Sequence, residues 1–481
     1  MITIADSVRN KRRMLDQFFK ACYCCCRFLT DSWAINMFNK ALYQEHLAEK
    51  MEQICGVLQS HNKDMVIIPS GVPKGVYWDD NYYPYKPNFH FSLFVPENNF
   101  PHSYLLIRPE AKPQLIFYQP ADYWHVVPES PNSDWADSFE VITVTDRNKW
   151  LELIPKQLST AVWLGEQQSE IAALMAEENI NAEDIVAELH FLRAAKNDYE
   201  VDCLLQANIK AAKGHNAARD AFLAGATEFE IHLAYLKATQ HAEQELPYGN
   251  IIALGSHGAV LHYTELDRQL PAKDQRHSFL IDAGATAYNY CADITRTWST
   301  DELFNNMIQA FDELELGLVA EVKTGADYVA MHRLAHLKIS QFMVDHEILN
   351  CSAEEAVEKR LSSTFFPHGL GHLLGLQVHD IGGHQQDKTG TIVKPPAEHP
   401  FLRLTRTLET GYCVTIEPGM YFIDLLMNEL KTKPEANLVN WSMVERLKSF
   451  GGIRIEDDVV ATEDGHINLS RLAFEQLNKA N

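Results

Sequence analysis

Gly452-Ile453-Arg454-Ile455-Glu456-Asp457 alternates apolar and charged residues with the period of a β-strand. Successive side chains of a strand point to opposite faces. Ile453 and Ile455 are therefore expected to face a core, while Arg454 and Glu456 share a polar pocket. Two other runs repeat the pattern. Cys413-Val414-Thr415-Ile416-Glu417 sets Thr415 beside Glu417, and Cys291-Ala292-Asp293-Ile294-Thr295 sets Thr295 beside Asp293. Three strands each present an acid with a polar neighbour on one face, as a cavity lined by a sheet requires.

Two further settings belong with these. Leu280-Ile281-Asp282-Ala283-Gly284 ends an apolar run in an acid, and Phe366-Pro367-His368-Gly369-Leu370-Gly371-His372 sets two imidazoles among glycines. An acid at the end of an apolar strand is costly unless positive charge meets it. Taken singly, such an Asp is most often a turn residue or helix cap, and such a His a loop residue. Taken together and in this order, Asp282, Asp293, His372, Glu417 and Glu456 form a donor set of four carboxylates and one imidazole. That set suits Mn²⁺, Co²⁺ or Zn²⁺ rather than copper. Two divalent cations are the simplest source of the charge the four acids need, so the five residues read as a catalytic metal site. The glycines between His368 and His372 argue against a helical metal pair, and no nucleophile elbow or phosphate loop is present.

These motifs resemble those of the pita-bread metallopeptidases, and within them the bacterial-type Xaa-Pro dipeptidases (prolidases), close to the organophosphorus acid anhydrolases. The resemblance runs from about residue 40 to near the end and includes Trp78-Asp79-Asp80 and Tyr82-Tyr83-Pro84-Tyr85-Lys86. Cys291 and Cys413 stand where Ala or Val is expected, which leaves the ligands untouched. The resemblance implies an α+β fold: a C-terminal pita-bread catalytic domain preceded by a smaller α/β N-terminal domain. It implies two divalent ions, Mn²⁺ first among them, with Asp282 on one, His372 and Glu417 on the other, and Asp293 and Glu456 bridging. It also implies hydrolysis of Xaa-Pro dipeptides by a hydroxide between the two ions, with Glu417 as proton shuttle. His368 and His379 are the implied oxyanion donors, and His262 and Tyr248 further pocket residues. Arg454, facing the site beside Glu456, is expected to grip the free carboxylate of the substrate. Asp79 or Asp80 is expected to reach the site of a partner subunit in a homodimer. The alternative is aminopeptidase P-like cleavage of longer Xaa-Pro peptides, and organophosphate hydrolysis is an expected side activity.

Composition agrees with a large enzyme. A chain of 481 residues exceeds what one core sustains, and its net charge of −23 repels nucleic acid and anionic membranes. No apolar run is long enough to span a bilayer, and the chain reads as cytoplasmic. Five of the nine cysteines are scattered as small hydrophobes, whereas four crowd into Cys22-Tyr23-Cys24-Cys25-Cys26 without a metal or disulfide pattern.

Three segments are expected along the chain. Residues 1–36 hold six basic residues against three acids in an otherwise acidic chain. They read as an atypical extension, and a chain beginning at Met37 is expected to fold and cleave Ala-Pro. Residues 37–185 form the N-terminal domain, with a helix near 40–62, strands at 65–69, 89–96, 103–108, 114–118 and 140–144, and helices near 149–158 and 167–177. Residues 71–87 read as a turn-rich aromatic loop. The aromatics of this domain (Tyr77, Trp78, Tyr82, Tyr83, Tyr85, Phe89, Phe91 and Phe94) either line a substrate or dimer surface or pack as core, with core favoured for most of them. Residues 186–481 form the catalytic domain. Its leading amphipathic stretch, 182–223, is expected to turn Arg193, Lys196, Glu200 and Asp202 to solvent. Strands follow at 250–254, 278–282, 290–297, 412–417 and 452–460, with helices near 301–321, 326–345 and 352–360. Three prolines make 384–403 a shaped loop near the site.

Overall fold

The computed structural model describes residues 38–166, 169–272 and 276–480. The chain divides after residue 39 into two compact units, the second of which runs from residue 40 to residue 481. The extension at 1–36 lies outside the described residues.

The helix Lys40–Ser60 leads into a five-stranded sheet made of β1 (Met65–Pro69), β2 (Tyr104–Ile107), β3 (Gln114–Tyr118), β4 (Glu140–Val144) and β5 (Ala161–Trp163). Its order is β4-β3-β2-β1-β5, mixed parallel and antiparallel. β1 is buried along its whole length, as its unbroken apolar run demands. The bounds of β1, β3 and β4 are those expected. The expected strand at 89–96 is instead a one-turn helix, Phe89–Ser92, because the Asn88 side chain caps the His90 amide. The helices expected at 149–158 and 167–177 shrink to the short turns Lys149–Glu152 and Ser169–Ala172.

The remaining strands are β6 (Ile251–Leu254), β7 (Ser278–Asp282), β8 (Thr286–Ala287), β9 (Tyr290–Cys291), β10 (Thr295–Ser299), β11 (Cys413–Ile416), β12 (Gly419–Tyr421), β13 (Gly452–Arg454), β14 (Asp457–Thr462) and β15 (Gly465–Asn468). They make two three-stranded sheets, β10-β7-β6 and β11-β14-β15, and two pairs, β12-β13 and β8-β9. Isolated bridges stitch them together: Thr295 pairs with Glu456, and Leu373 with Val414. The helices Glu302–Val319 and Tyr328–Asp345 pack their apolar faces on this assembly through Phe304, Phe311, Ile339 and Phe342. Four helices beyond residue 360 (Leu361–Phe365, Asp424–Lys431, Trp441–Leu447 and Leu469–Ala480) were not anticipated from the sequence.

The stretch 182–223 is two helices, Glu183–Arg193 and Asp198–Leu223, and its charged residues are corrected by the structure. Arg193, Lys196 and Glu200 are buried. Arg193 and Lys196 both pair with Asp380, and Glu200 meets Lys50 at 2.9 Å. Amphipathic spacing finds the buried stripe, but it cannot see that a charged residue will find a counter-charge elsewhere in the chain. Of the domain's aromatics, Phe91 and Phe94 are core as expected, whereas the loop residues Tyr77 and Trp78 are 85% and 89% exposed.

Candidate metal centre

Strand pairing carries the acids to one place. Asp282 ends β7 opposite both Ile251 and Thr295. Glu456 pairs with Thr295 just past the end of β13. Glu417 follows β11, and its amide donates to the Leu370 carbonyl at 2.8 Å. The His372 backbone lies along β11 through a 3.0 Å bond from the Thr415 amide to the His372 carbonyl and a 3.1 Å bond from the His372 amide to the Thr415 hydroxyl. Gly371 makes this approach possible, since a Cβ there would overlap the Thr415 carbonyl oxygen. No helix joins His368 to His372.

Asp293, His372 and Glu456 are buried, and their candidate ligand atoms all lie within 4.8 Å of one another. His372 Nε2 stands 3.5 Å from Asp293 Oδ2 and 3.7 Å from Glu417 Oε1. Its Nδ1 is 3.0 Å from the Leu373 carbonyl, a contact that leaves Nε2 facing the acids. The Tyr248 hydroxyl lies 2.7 Å from Asp282 Oδ1 and 2.5 Å from Asp293 Oδ1. One phenol proton cannot serve two ionised carboxylates at once. The protein's own cations here are Arg454, bonded to Asp282 at 2.7 Å, and His372.

The electrostatics express the same shortage of positive charge. Burial and the neighbouring acids Asp293, Glu417 and Asp282 push Glu456 well above the usual carboxylate range. Burial also raises Glu417 to about 7, with Asp293 adding to the rise against the pull of His372. Asp282 is raised as well, by burial and by Asp293, against Arg454. Burial works against the His372 imidazolium, but Asp293 and Glu417 hold it up at about 9. Protons thus gather where divalent ions would otherwise supply the charge, and the carboxylate-rich donor set fits such ions.

Comparison with known proteins agrees with this geometry. Residues 41–191 match the family described as Xaa-Pro dipeptidase, N-terminal domain, and residues 202–463 match metallopeptidase family M24. The chain belongs to metallopeptidase family M24. It is 42% identical over 430 residues to a Xaa-Pro dipeptidase from Shewanella woodyi, which covers 89% of this chain and 97% of that protein. A second, from Shewanella loihica, is 42% identical over 431 residues with the same coverage. Among solved structures, Escherichia coli aminopeptidase P with the inhibitor Pro-Leu superposes with a TM-score of 0.67 at 20% identity, covering 92% of this chain and all of that one. The zinc-substituted form in complex with product gives 0.66 at 21% identity, covering 93% of this chain and all of that one. At that identity the likeness speaks for the fold: an aminopeptidase P-like fold in which an N-terminal domain precedes the M24 domain.

Around the M24 acids the other expected residues take definite places. His368 is partly buried, with Nδ1 2.8 Å from the Gly369 carbonyl and Nε2 2.8 Å from the Tyr421 hydroxyl. Burial and Arg454 push it down to about 3, so it is neutral. His379 packs edge-on to His372 with ring centroids 4.5 Å apart, and burial and His372 lower it to about 4. His262 is exposed, close enough to affect both His368 and His379 electrostatically. Arg454 is buried and engaged on three sides: Nη2 to Asp282 at 2.7 Å, Nη1 to the Tyr421 hydroxyl at 3.0 Å, and Nε to the Thr295 hydroxyl at 3.1 Å. Thr295, expected beside Asp293, instead donates to Glu456 Oε2 at 2.6 Å. Asp79 and Asp80 lie in the exposed segment beside Trp78.

Three positioning residues escaped the sequence reading. Tyr421 joins His368 to Arg454, and period two from Glu417 through Gly419 would have put it on the ligand face. Asp458, buried in β14, accepts the Asp293 amide at 3.0 Å; the acid run Glu456-Asp457-Asp458 ahead of Val459-Val460 was its signal. Asp380 fixes the His379 segment through Arg193 and Lys196, and nothing local in the sequence marks it.

Proposed function

We propose that this M24 chain hydrolyses Xaa-Pro dipeptides. The observation that carries the proposal is the convergence of Asp282, Asp293, His372, Glu417 and Glu456 in a chain 42% identical to Xaa-Pro dipeptidases over most of its length. Asp282 would hold one ion, His372 and Glu417 the other, and Asp293 and Glu456 both. Mn²⁺ is the favoured ion, since four of the five ligands are carboxylates. Two ions held there lower the pKa of a shared water and polarise the scissile carbonyl.

The chain's own groups divide the remaining work. Glu417, 3.6 Å from His368 and 3.7 Å from His372, carries the proton from the attacking water toward the prolyl nitrogen. His379, on the open side of His372, donates to the developing oxyanion. His368 contributes mainly by fixing Tyr421, because both its ring nitrogens are taken. Tyr248 and His262 border the substrate. Arg454 is first a positioning residue for Asp282. The substrate carboxylate is assigned to Arg403, an exposed guanidinium that acts electrostatically on His379 and makes no hydrogen bond of its own among the described residues. The amide before proline lacks an N–H, so a site whose ligands act on its carbonyl suits it.

The same reading includes a domain boundary near 185. The five-stranded sheet lies before it and the other strands of the described residues lie after it, which supports that division. A homodimer is supported by the exposed Tyr77, Trp78, Tyr82 and Tyr83 around Asp79 and Asp80. A cytoplasmic location is supported by the five free cysteines of the described residues, among which no helix is long and apolar enough to cross a membrane. Organophosphate hydrolysis is proposed as a side activity of the same centre.

The deciding assay compares Ala-Pro with Ala-Pro-Xaa peptides in the presence of Mn²⁺. Turnover of Ala-Pro at least tenfold faster supports the dipeptidase. Preference for the longer peptides moves the assignment to an aminopeptidase.

A further inference from the structure

A second group of candidate ligands lies apart from the carboxylate centre. His332 and His336 stand one turn apart on the helix Tyr328–Asp345, so they project from the same face. His399, from the loop 384–403, closes on them. Ring centroids are 4.7 Å apart for His332 and His336, 4.4 Å for His332 and His399, and 4.6 Å for His336 and His399. One nitrogen from each ring falls within 4.8 Å of the other two. Phe366 separates this group from the carboxylate centre, its ring lying 5.0 Å from His336 on one side and 4.8 Å from His368 on the other.

Ordinary packing explains the group poorly. His332 is 1% exposed, and its buried Nδ1 has no hydrogen-bond partner. A buried polar atom left unpaired opposes folding. His336, 3% exposed, has its Nδ1 2.9 Å from the Ser362 hydroxyl, which leaves Nε2 uncommitted. His399 is half-buried and forms the side open to solvent. Burial, reinforced by the neighbouring imidazoles, pushes His332 down to about 2 and His336 to about 3, and burial also lowers His399. All three rings therefore carry free lone pairs at neutral pH. The nearby cations Arg333 and Arg360 oppose a bound cation, but both are drawn to Glu398: Arg333 pairs with its carboxylate at 3.1 Å, and Arg360 donates to its carbonyl at 3.0 Å.

We propose that His332, His336 and His399 form a third metal site, which takes a single borderline divalent transition ion such as Zn²⁺. Three neutral imidazoles with a fourth position toward solvent are a Zn²⁺ donor set, in contrast to the carboxylate centre. The ion would give the unpaired His332 ring a partner and clip the loop 384–403 to the helix beneath it. This site is independent of the substrate assignment.

The test counts Zn²⁺ on the full chain by competition with a chromophoric chelator. The double variant Asp293→Asn/Glu456→Gln, with its carboxylate centre disabled, is expected to keep one tightly bound Zn²⁺. His399→Ala and His336→Gln should each bind one Zn²⁺ fewer than the wild type, or bind it at least tenfold more weakly. His399→Ala should keep the cooperative thermal unfolding of the wild type, which shows that it folds. In the Co²⁺-substituted wild type, an intense visible band of a four-coordinate imidazole site is expected, and His399→Ala should lose it. Equal Zn²⁺ counts and affinities in wild type and His399→Ala overturn the proposal, as does a folded double variant that binds none. Should the double variant not fold, the His399→Ala count and the Co²⁺ band decide alone.

Discussion

The guanidinium of Arg454 donates to Asp282 Oδ2 across 2.7 Å, although 172 residues separate the two in sequence. Arg454 and Glu456 do meet at one group, the Thr295 hydroxyl, which accepts from Arg454 Nε and donates to Glu456, but the head of the guanidinium goes to Asp282. Arg454→Lys loses the planar fork that reaches Asp282, Tyr421 and Thr295 together. It should lower kcat/KM about 10–100-fold, the loss typical of a partner that orients a ligand. Ala-Pro and Ala-Pro-amide should be affected alike. Arg403→Ala should instead raise KM for Ala-Pro alone, by the equivalent of about 1.5–3 kcal/mol. Steady-state kinetics on both substrates decide the matter: a loss confined to Ala-Pro in Arg454→Lys would return carboxylate recognition to that residue.

Chelation should abolish hydrolysis, and Mn²⁺ or Co²⁺ should restore it. Asp293→Asn should lose metal and activity together, by more than the about 100-fold that follows loss of an outer partner. A neutral amide cannot replace the charge this buried carboxylate contributes. Elemental analysis alongside the Ala-Pro assay checks this, and a fully active metal-free protein would refute a binuclear mechanism.

Glu417→Gln and His379→Ala should separate ligand loss from oxyanion stabilisation. The first removes charge and proton shuttle and should depress kcat severely. The second should keep its metal while kcat falls about 10²–10³-fold, the usual consequence of removing one oxyanion donor. Metal occupancy in His379→Ala as low as in His372→Ala would mean that the ligand histidine is misassigned.

Glu200 links Lys50 to the cap of the helix Asp198–Leu223. Burial raises its pKa, but Lys50 and His46 outweigh burial and hold it down at about 2. A depressed carboxyl contributes stability that is complete above its unfolded pKa of about 4.3. That contribution drains away as pH falls toward 2. Glu200→Gln leaves the buried Lys50 only the more exposed Glu49 carboxylate at 3.1 Å and should cost about 1.5–3 kcal/mol at pH 7, the range for hydrogen bonds to charged groups. Urea unfolding of both proteins at pH 7 and pH 3 should show the difference shrinking at the lower pH. A gap that stays constant or widens in acid would show that the pair is not its source.

Several strands and the candidate ligands were legible because both rest on local patterns. β7 has the bounds its apolar run predicts, and Asp282, Asp293, His372, Glu417 and Glu456 each carry a recognisable setting. The helix Phe89–Ser92 was misread because one capping side chain overrode a strand-like composition. The expected strand 290–297 breaks at residues 292–294, where the backbone brings Asp293 to the acids and hands its amide to Asp458.

The sequence by itself placed four acids and a histidine in distinctive settings, and acids on core-facing strands call for positive charge nearby. Only the tertiary structure decided which group each of them meets. Asp282 meets Arg454 and Tyr248, Glu456 meets Thr295, and Asp380 draws Arg193 and Lys196 away from the solvent that their helical spacing predicts. Local periodicity fixes the face on which a side chain lies. The partner on that face comes from segments about 35–190 residues away, and register and burial choose it only once the sheets have assembled.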